Sequence, residues 1–176
     1  MVCIGSQLTF CSPGNILRRT AVEKDERDVV SRIFSLDESH VESSHTLFYD
    51  GIISSEIVSL KQHVSSEKIA ELTTGYHYID FSEANISAKI SDDMSPVIFD
   101  FAGSTLNEIN RKLTVIAQQC SAIPIFDVIA GCVFYPALLL GYEAQLTKGR
   151  QTKLLLWEHT DLVNKTLTVS TKMQEF

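Results

Sequence analysis

The chain carries few of the marks that usually betray a chemistry. Its four cysteines, Cys3, Cys11, Cys120 and Cys132, form no Cys-x-x-Cys pair and stand at no zinc-site spacing from a histidine. No serine lies in Gly-x-Ser-x-Gly, so a hydrolase elbow is not signalled. There is no Gly-rich phosphate loop. Basic clusters are limited to Arg18-Arg19 and Lys148-Gly149-Arg150, on a chain of net charge −7 and pI near 5.2. Binding driven by counter-ion release from phosphates needs more clustered cations than that, so nucleic acid is not an expected partner. The longest apolar stretch, 128–140, is broken by Gly131 and Pro136. It is well short of the roughly 20 residues that cross a bilayer, so no membrane partner is expected. The opening MVCIGSQLTFCSPG lacks a basic segment followed by a long apolar run and does not read as a signal peptide. No internal repeat, low-complexity tract or flexible linker is visible.

What is present suits a globular protein. Of 176 residues, 44% are apolar and 21% charged. A chain of this size buries about 70% of its unfolded surface, enough for a real core. One domain, or one with a small appendage, is expected. The scattered cysteines read as buried thiols in a reducing compartment, and the expected location is cytoplasmic. A Cys3–Cys11 pair in an oxidising compartment is the alternative.

The first third reads as β. QLTFC is a strand ended by Ser-Pro-Gly. NILRRTAVEKD and VVSRIFSLD read as a hairpin around Glu26-Arg27. After a polar loop, DESHVESSH, the stretch HTLFYDGIISSEIVSL reads as two short strands turning at Asp50-Gly51. The middle is mixed. SSEKIAEL reads as a short helix with a serine cap, YHYIDF and PVIFDF as strands, and ANISAKISDDMS as loop. Leu106, Ile109, Leu113 and Ile116 recur at helical spacing, capped by Ser104 or Thr105. AIPIFDVIAGCVFYPALLLG predicts a second helix, starting near Pro124 and disturbed at Pro136. TKLLLWE and TLTVSTK, separated by HTDLVNK, close the chain as strands, with Trp157 in the core.

Two stretches near the C-terminus carry a resemblance. Residues 135–142, YPALLLGY, resemble the NPA-x-x-LGL element of the metal-dependent amidohydrolases, and 148–156, KGRQTKLLL, resemble their following GK-x-ADLVV element. The physics is legible without the family. A Gly after the helix permits a left-handed cap, and a second Gly turns the chain into a strand. Residues 48–53, FYDGII, resemble the stretch leading into the family's first barrel strand. The resemblance implies an α+β fold: a β-sandwich formed from N- and C-terminal strands, 1–60 and 144–176. A small inserted α/β piece, 61–143, stands where the family has its barrel.

The same resemblance implies where metal ligands would lie. The family's His-x-His falls on Lys61-Gln62-His63, so one ligand is a lysine, whose ammonium cannot ligate unless deprotonated. Asp100 matches in placement the aspartate that closes the barrel. A barrel needs eight strand–helix units and around 250 residues, whereas only 32 residues separate His63 from Pro96. In the closing segment the family's Asn is Tyr135 and its Asp is Lys153. No middle histidine pair exists among His40, His45, His77 and His159.

Lys61, His63 and Asp100 therefore form a candidate relic site, read either as metal ligands, as a Lys61–Asp100 ion pair in place of a metal, or as plain polar neighbours. Gly103, Ser104 and Thr105, at a strand-to-helix turn, form a candidate anion-binding turn. His77 between Tyr76 and Tyr78 is a ligand-stacking candidate that reads more simply as an edge strand. His45, Tyr49 and Asp50 are a candidate polar cluster that reads more simply as a hairpin margin. The expected function is a non-catalytic, amidohydrolase-like binding or assembly module without metal or other cofactor, acting as a homodimer or with a protein partner. The alternative is a residual metal-dependent hydrolase of C–N bonds whose site a partner subunit completes.

Overall fold

The computed structural model describes residues 2–37, 46–81, 96–119, 123–142, 146–158 and 172–176. The first strands are β1 (Val2–Ser12), β2 (Asn15–Lys24), β3 (Val30–Ser35) and β4 (Thr46–Ser55). An inserted piece follows, with α1 (Ser66–Leu72), β5 (His77–Asp80), β6 (Val97–Asp100), α2 (Leu106–Gln119), α3 (Ile125–Ile129) and α4 (Tyr135–Leu139). The chain then returns as β7 (Leu154–Glu158) and β8 (Lys172–Glu175). Six strands form one mixed sheet in the order β3-β2-β1-β4-β7-β8, built from both parts of the chain as the α+β reading requires.

The hairpins follow from local chemistry. Pro13-Gly14 turns β1 into β2. At 25–29 the Asp25 carboxylate accepts from the backbone N–H of Arg27 (2.8 Å) and of Val29 (3.0 Å), closing the turn to β3. The join of the two chain parts is β4 against β7, antiparallel, with Ile52 opposite Trp157 and Ser55 opposite Leu154.

Side chains alternate across a strand, and both faces of β7 are buried. Leu154 and Leu156 join Ile4, Val22, Val30 and Ile53 in one cluster. Leu155 and Trp157 join Phe10 and Ile52 in another, against the inserted helices. The sheet coils around the first cluster until the start of β3 meets the segment before β7. There Val30 N–H donates to the Arg150 carbonyl (2.8 Å) and Gly149 N–H to the Val30 carbonyl (2.7 Å). The fully buried Lys24 ammonium bonds Asp28 (2.9 Å) and the Phe176 carbonyl (2.8 Å) across this closure.

One expectation is corrected here. Asp50-Gly51 does not turn the chain; it lies inside the single strand β4. Tyr49 and Ile52 on β4 face Ser6 and Leu8 on β1, so β4 carries one extra residue, a bulge. A Cβ on Gly51 would come within 2.5 Å of the Trp157 carbonyl oxygen, so glycine is required by close strand contact. Residues 38–45 and 82–95, HTDLVNK and most of TLTVSTK lie outside the described residues.

The described cysteines are free thiols as expected, and the alternative Cys3–Cys11 pair is excluded; Cys120 lies outside the described residues. Cys3 and Cys11 lie on the same strand and are free thiols, as is Cys132. Eight residues of strand separate the first two by about 26 Å, too far to pair. Cys11 and Cys132 are buried, while Cys3 is half-buried.

The insert packs a parallel pair, β5 and β6, under the helices. On α2, Ile109, Leu113 and Ile116 are buried as their spacing predicts. The helical run 125–139 changes to a π-helix over Ala130–Phe134. Pro136 has no N–H to return to the carbonyl of Cys132, and that carbonyl accepts instead from Val58 N–H at 3.0 Å. Gly131 lets the helix approach β6, since a Cβ there would meet the Val97 carbonyl oxygen at 2.5 Å. The run ends at Gly141, φ +77°, with Tyr142 N–H donating to the Ala137 carbonyl (2.8 Å), a Schellman cap. Among the described residues no helix is long and apolar enough to cross a membrane.

Candidate functional site

β5 and β6 run in parallel and end alike, as Ile79-Asp80-Phe81 and Phe99-Asp100-Phe101, with Asp80 and Asp100 as register partners. The phenylalanines are buried, which holds both carboxylates at the carboxyl end of the pair. Across that end runs a 3₁₀ turn, Leu60–Gln62, anchored by the buried Leu60.

Asp100 is fully buried, and its carboxylate accepts four hydrogen bonds. Oδ1 takes the Ser59 hydroxyl at 2.6 Å and Ala102 N–H at 3.1 Å. Oδ2 takes Lys61 N–H at 3.0 Å and the Tyr78 hydroxyl at 3.0 Å. A carboxylate has about four acceptor sites, so this one is saturated by protein donors. Burial, with the Asp100 charge beside it, pushes the Tyr78 hydroxyl far up and keeps it a donor. The Cys132 thiol is held protonated by burial and by the same charge.

The relic positions are thus only partly brought together. Lys61 meets Asp100 through its backbone amide. Its ammonium lies 2.6 Å from Asp80, in a half-exposed ion pair. His63 faces elsewhere: its Nδ1 is 2.8 Å from the Ser59 carbonyl. A carbonyl only accepts, so Nδ1 carries the proton. Ser59 links Asp100 and His63, but its hydroxyl is given to Asp100 and only its carbonyl touches His63. That geometry holds a turn and does not prepare a nucleophile. Among the described residues, no three His, Cys, Asp or Glu side chains gather as a metal cluster. The acceptors on Asp100 are already filled, so these residues do not fit the metal site the resemblance implies.

The turn at Gly103 has φ +70°. The Thr105 N–H donates to the Glu108 carboxylate at 2.6 Å, and Glu108 N–H to the Thr105 hydroxyl at 3.3 Å. This is a capping box, and it places the chain's own carboxylate where an anion would sit. The Ser104 hydroxyl accepts from the Lys112 ammonium at 2.7 Å.

No protein-family model matches the chain, and no curated protein matches it. Among solved structures it is similar to N-acetyl-D-glucosamine-6-phosphate deacetylase from Mycobacterium smegmatis, at 9% identity and TM-score 0.27, over 69% of this chain. A point mutant of that enzyme, in complex with N-acetyl-D-glucosamine-6-phosphate, gives 10% identity, TM-score 0.26 and the same coverage. The chain spans about 30% of the length of these neighbours. Similarity at this level assigns no residue here.

Sequence reasoning missed Ser59, Tyr78 and Asp80 as partners of the relic residues. A signal for Asp80 was present: YHYIDF and PVIFDF share an Asp-Phe ending after two apolar residues. His77 starts β5 opposite Val97, on the strand its neighbours predict. Tyr49 packs on Phe176 with ring centroids 5.0 Å apart, and His45 lies outside the described residues.

A second feature lies beside the first. A cavity of about 340 Å³ opens between the end of β4, the helical run and the segment before β7. His63, Gln62, Tyr142 and Arg150 are among its lining residues.

Proposed function

We propose that the chain is a non-catalytic, amidohydrolase-like binding or assembly module. The carrying observation is the saturation of Asp100. The position that resembles a metal-ligating aspartate accepts from Ser59, Lys61, Tyr78 and Ala102. A Lys61 ammonium stands at the neighbouring Asp80, keeping a cation at the strand ends without a metal. Removing four donors to admit a metal ion would leave the buried Ser59 hydroxyl unpaired, at roughly 1–3 kcal/mol, and the three partly buried donors short of a partner. A reading of 1–60 with 144–176 as the sheet unit and 61–143 as its insert accompanies this proposal. So does action through a protein partner or a second copy of the chain.

Elemental analysis of the purified native protein tests it, with the mass in solution measured alongside. The expected result is zinc, nickel and iron well below stoichiometric. Stoichiometric metal that disappears in Asp100→Asn or His63→Gln would overturn the proposal and restore a metal-dependent hydrolase.

A further inference from the structure

The cavity beside His63 has features that the Asp100 cluster does not use. Arg150 lines it, and the Nε of that guanidinium is buried without a hydrogen-bond partner. Among the described residues it is the one side-chain nitrogen or oxygen so placed. That Nε is itself closed off from water, so a ligand in the cavity meets Arg150 through the terminal guanidinium nitrogens, to which no described residue is hydrogen-bonded. The Arg150 side chain makes no ion pair with any described residue, although Glu56 lines the same cavity.

Arg150 is presented by a fixed backbone. Its carbonyl accepts from Val30 N–H, Thr152 N–H donates to the Asp28 carbonyl, and Gln151 faces Val29 between these two bonds. His63 is also fixed: Nδ1 donates to the Ser59 carbonyl, Tyr142 stands edge-on at 6.3 Å, and no described residue bonds Nε2. One wall is apolar, formed by Val133, Ala137 and Ile57. The volume lies at the small end of the roughly 300–1,000 Å³ common for ligand pockets.

We propose that this cavity binds a small organic anion, with one oxyanion group seated on Arg150. The planar guanidinium fork matches a carboxylate or a phosphate oxygen pair and supplies charge-assisted bonds. His63 Nε2 addresses a hydroxyl or oxyanion beside it, and the apolar wall takes a short carbon chain. Glu56 adds a negative charge at the exposed margin, so a single oxyanion is accepted and a polyphosphate is repelled. The site stands on Arg150 and the cavity, and does not depend on whether the Asp100 cluster is catalytic.

The test titrates the full chain calorimetrically with inorganic phosphate and with succinate, at constant ionic strength in chloride. Saturable binding of at least one probe is expected, weakened tenfold or more in Arg150→Gln, with the variant's Tm in chloride unchanged. Phosphate alone would identify a phosphoryl ligand, and succinate alone a carboxylate. Should Arg150→Gln lose its fold by circular dichroism, Arg150→Lys carries the same titration, since it keeps the charge and loses the fork. Absence of saturation with both probes, or equal affinity in the folded variant, would overturn the proposal.

Discussion

The hydroxyl of Ser59 donates to the fully buried carboxylate of Asp100 across 2.6 Å. Ser59 belongs to the segment leaving the large sheet, and Asp100 closes a strand of the insert. The bond therefore ties the two layers at one point, and three further donors complete the carboxylate's shell.

Asp100→Asn keeps the shape and replaces one acceptor oxygen by a donor amide. At least one of Ser59, Ala102, Lys61 and Tyr78 then faces a donor. A loss on the order of 3 kcal/mol in urea denaturation is expected. A loss below about 1 kcal/mol would mean that the donors find other partners and that Asp100 is no hub.

Gly51→Ala drives a methyl group toward the Trp157 carbonyl. Overpacking of this kind costs about 1–3 kcal/mol, because β4 and β7 are hydrogen-bonded and cannot part locally. Gly14 has nothing within 4 Å of an added Cβ and serves as the control. Thermal melts should show a drop for Gly51→Ala and none for Gly14→Ala; equal melts would show that the bulge yields.

Thiol labelling of the native protein should reach Cys3 and spare Cys11 and Cys132, whose thiols burial holds protonated. Mass spectrometry of peptides labelled before and after denaturation reads this directly. Native labelling of Cys132 at the rate of Cys3 would contradict the packing of the π-helical segment.

Glu108 is held below the usual carboxylate range, first by the Thr105 N–H and then by the Thr105 hydroxyl. A depressed carboxyl contributes stability that is present above its unfolded pKa of about 4.3 and is lost as pH falls through the folded value. The urea midpoint of the wild type should therefore fall on acidification through that window. In Glu108→Gln the fall should be shallower, with the difference confined to α2 by hydrogen exchange. Parallel pH profiles would show that the capping box contributes nothing to the acid response.

Much of the scaffold was legible because its signals are local. LLLWE is apolar at every position, and it became a strand buried on both faces. Leu106, Ile109, Leu113 and Ile116 announced α2, and Gly141 its neighbour's cap. Asp50-Gly51 misled because a bulge and a hairpin turn ask for the same residues. The site was less legible. The side-chain donors and amide around Asp100 come from 41, 39 and 22 residues away, and no spacing rule spans such gaps. The resemblance led to Lys61 and Asp100 but not to their arrangement, in which a backbone amide rather than the ammonium reaches the carboxylate. Arg150 was noted only as part of a short basic cluster, because the cavity it lines is made by three distant segments.

The register of β4 and β7 has a consequence for how such a chain can change length. Ser55 and Leu154 face each other, so everything between them departs from and returns to nearly the same point of the sheet. Partner Cα atoms in a ladder sit only about 5 Å apart, and lengthening a closed excursion adds just about 0.6 kcal/mol per doubling. The sheet thus works as a socket with two adjacent terminals. Segments of very different size can be exchanged there while the strands outside keep their order.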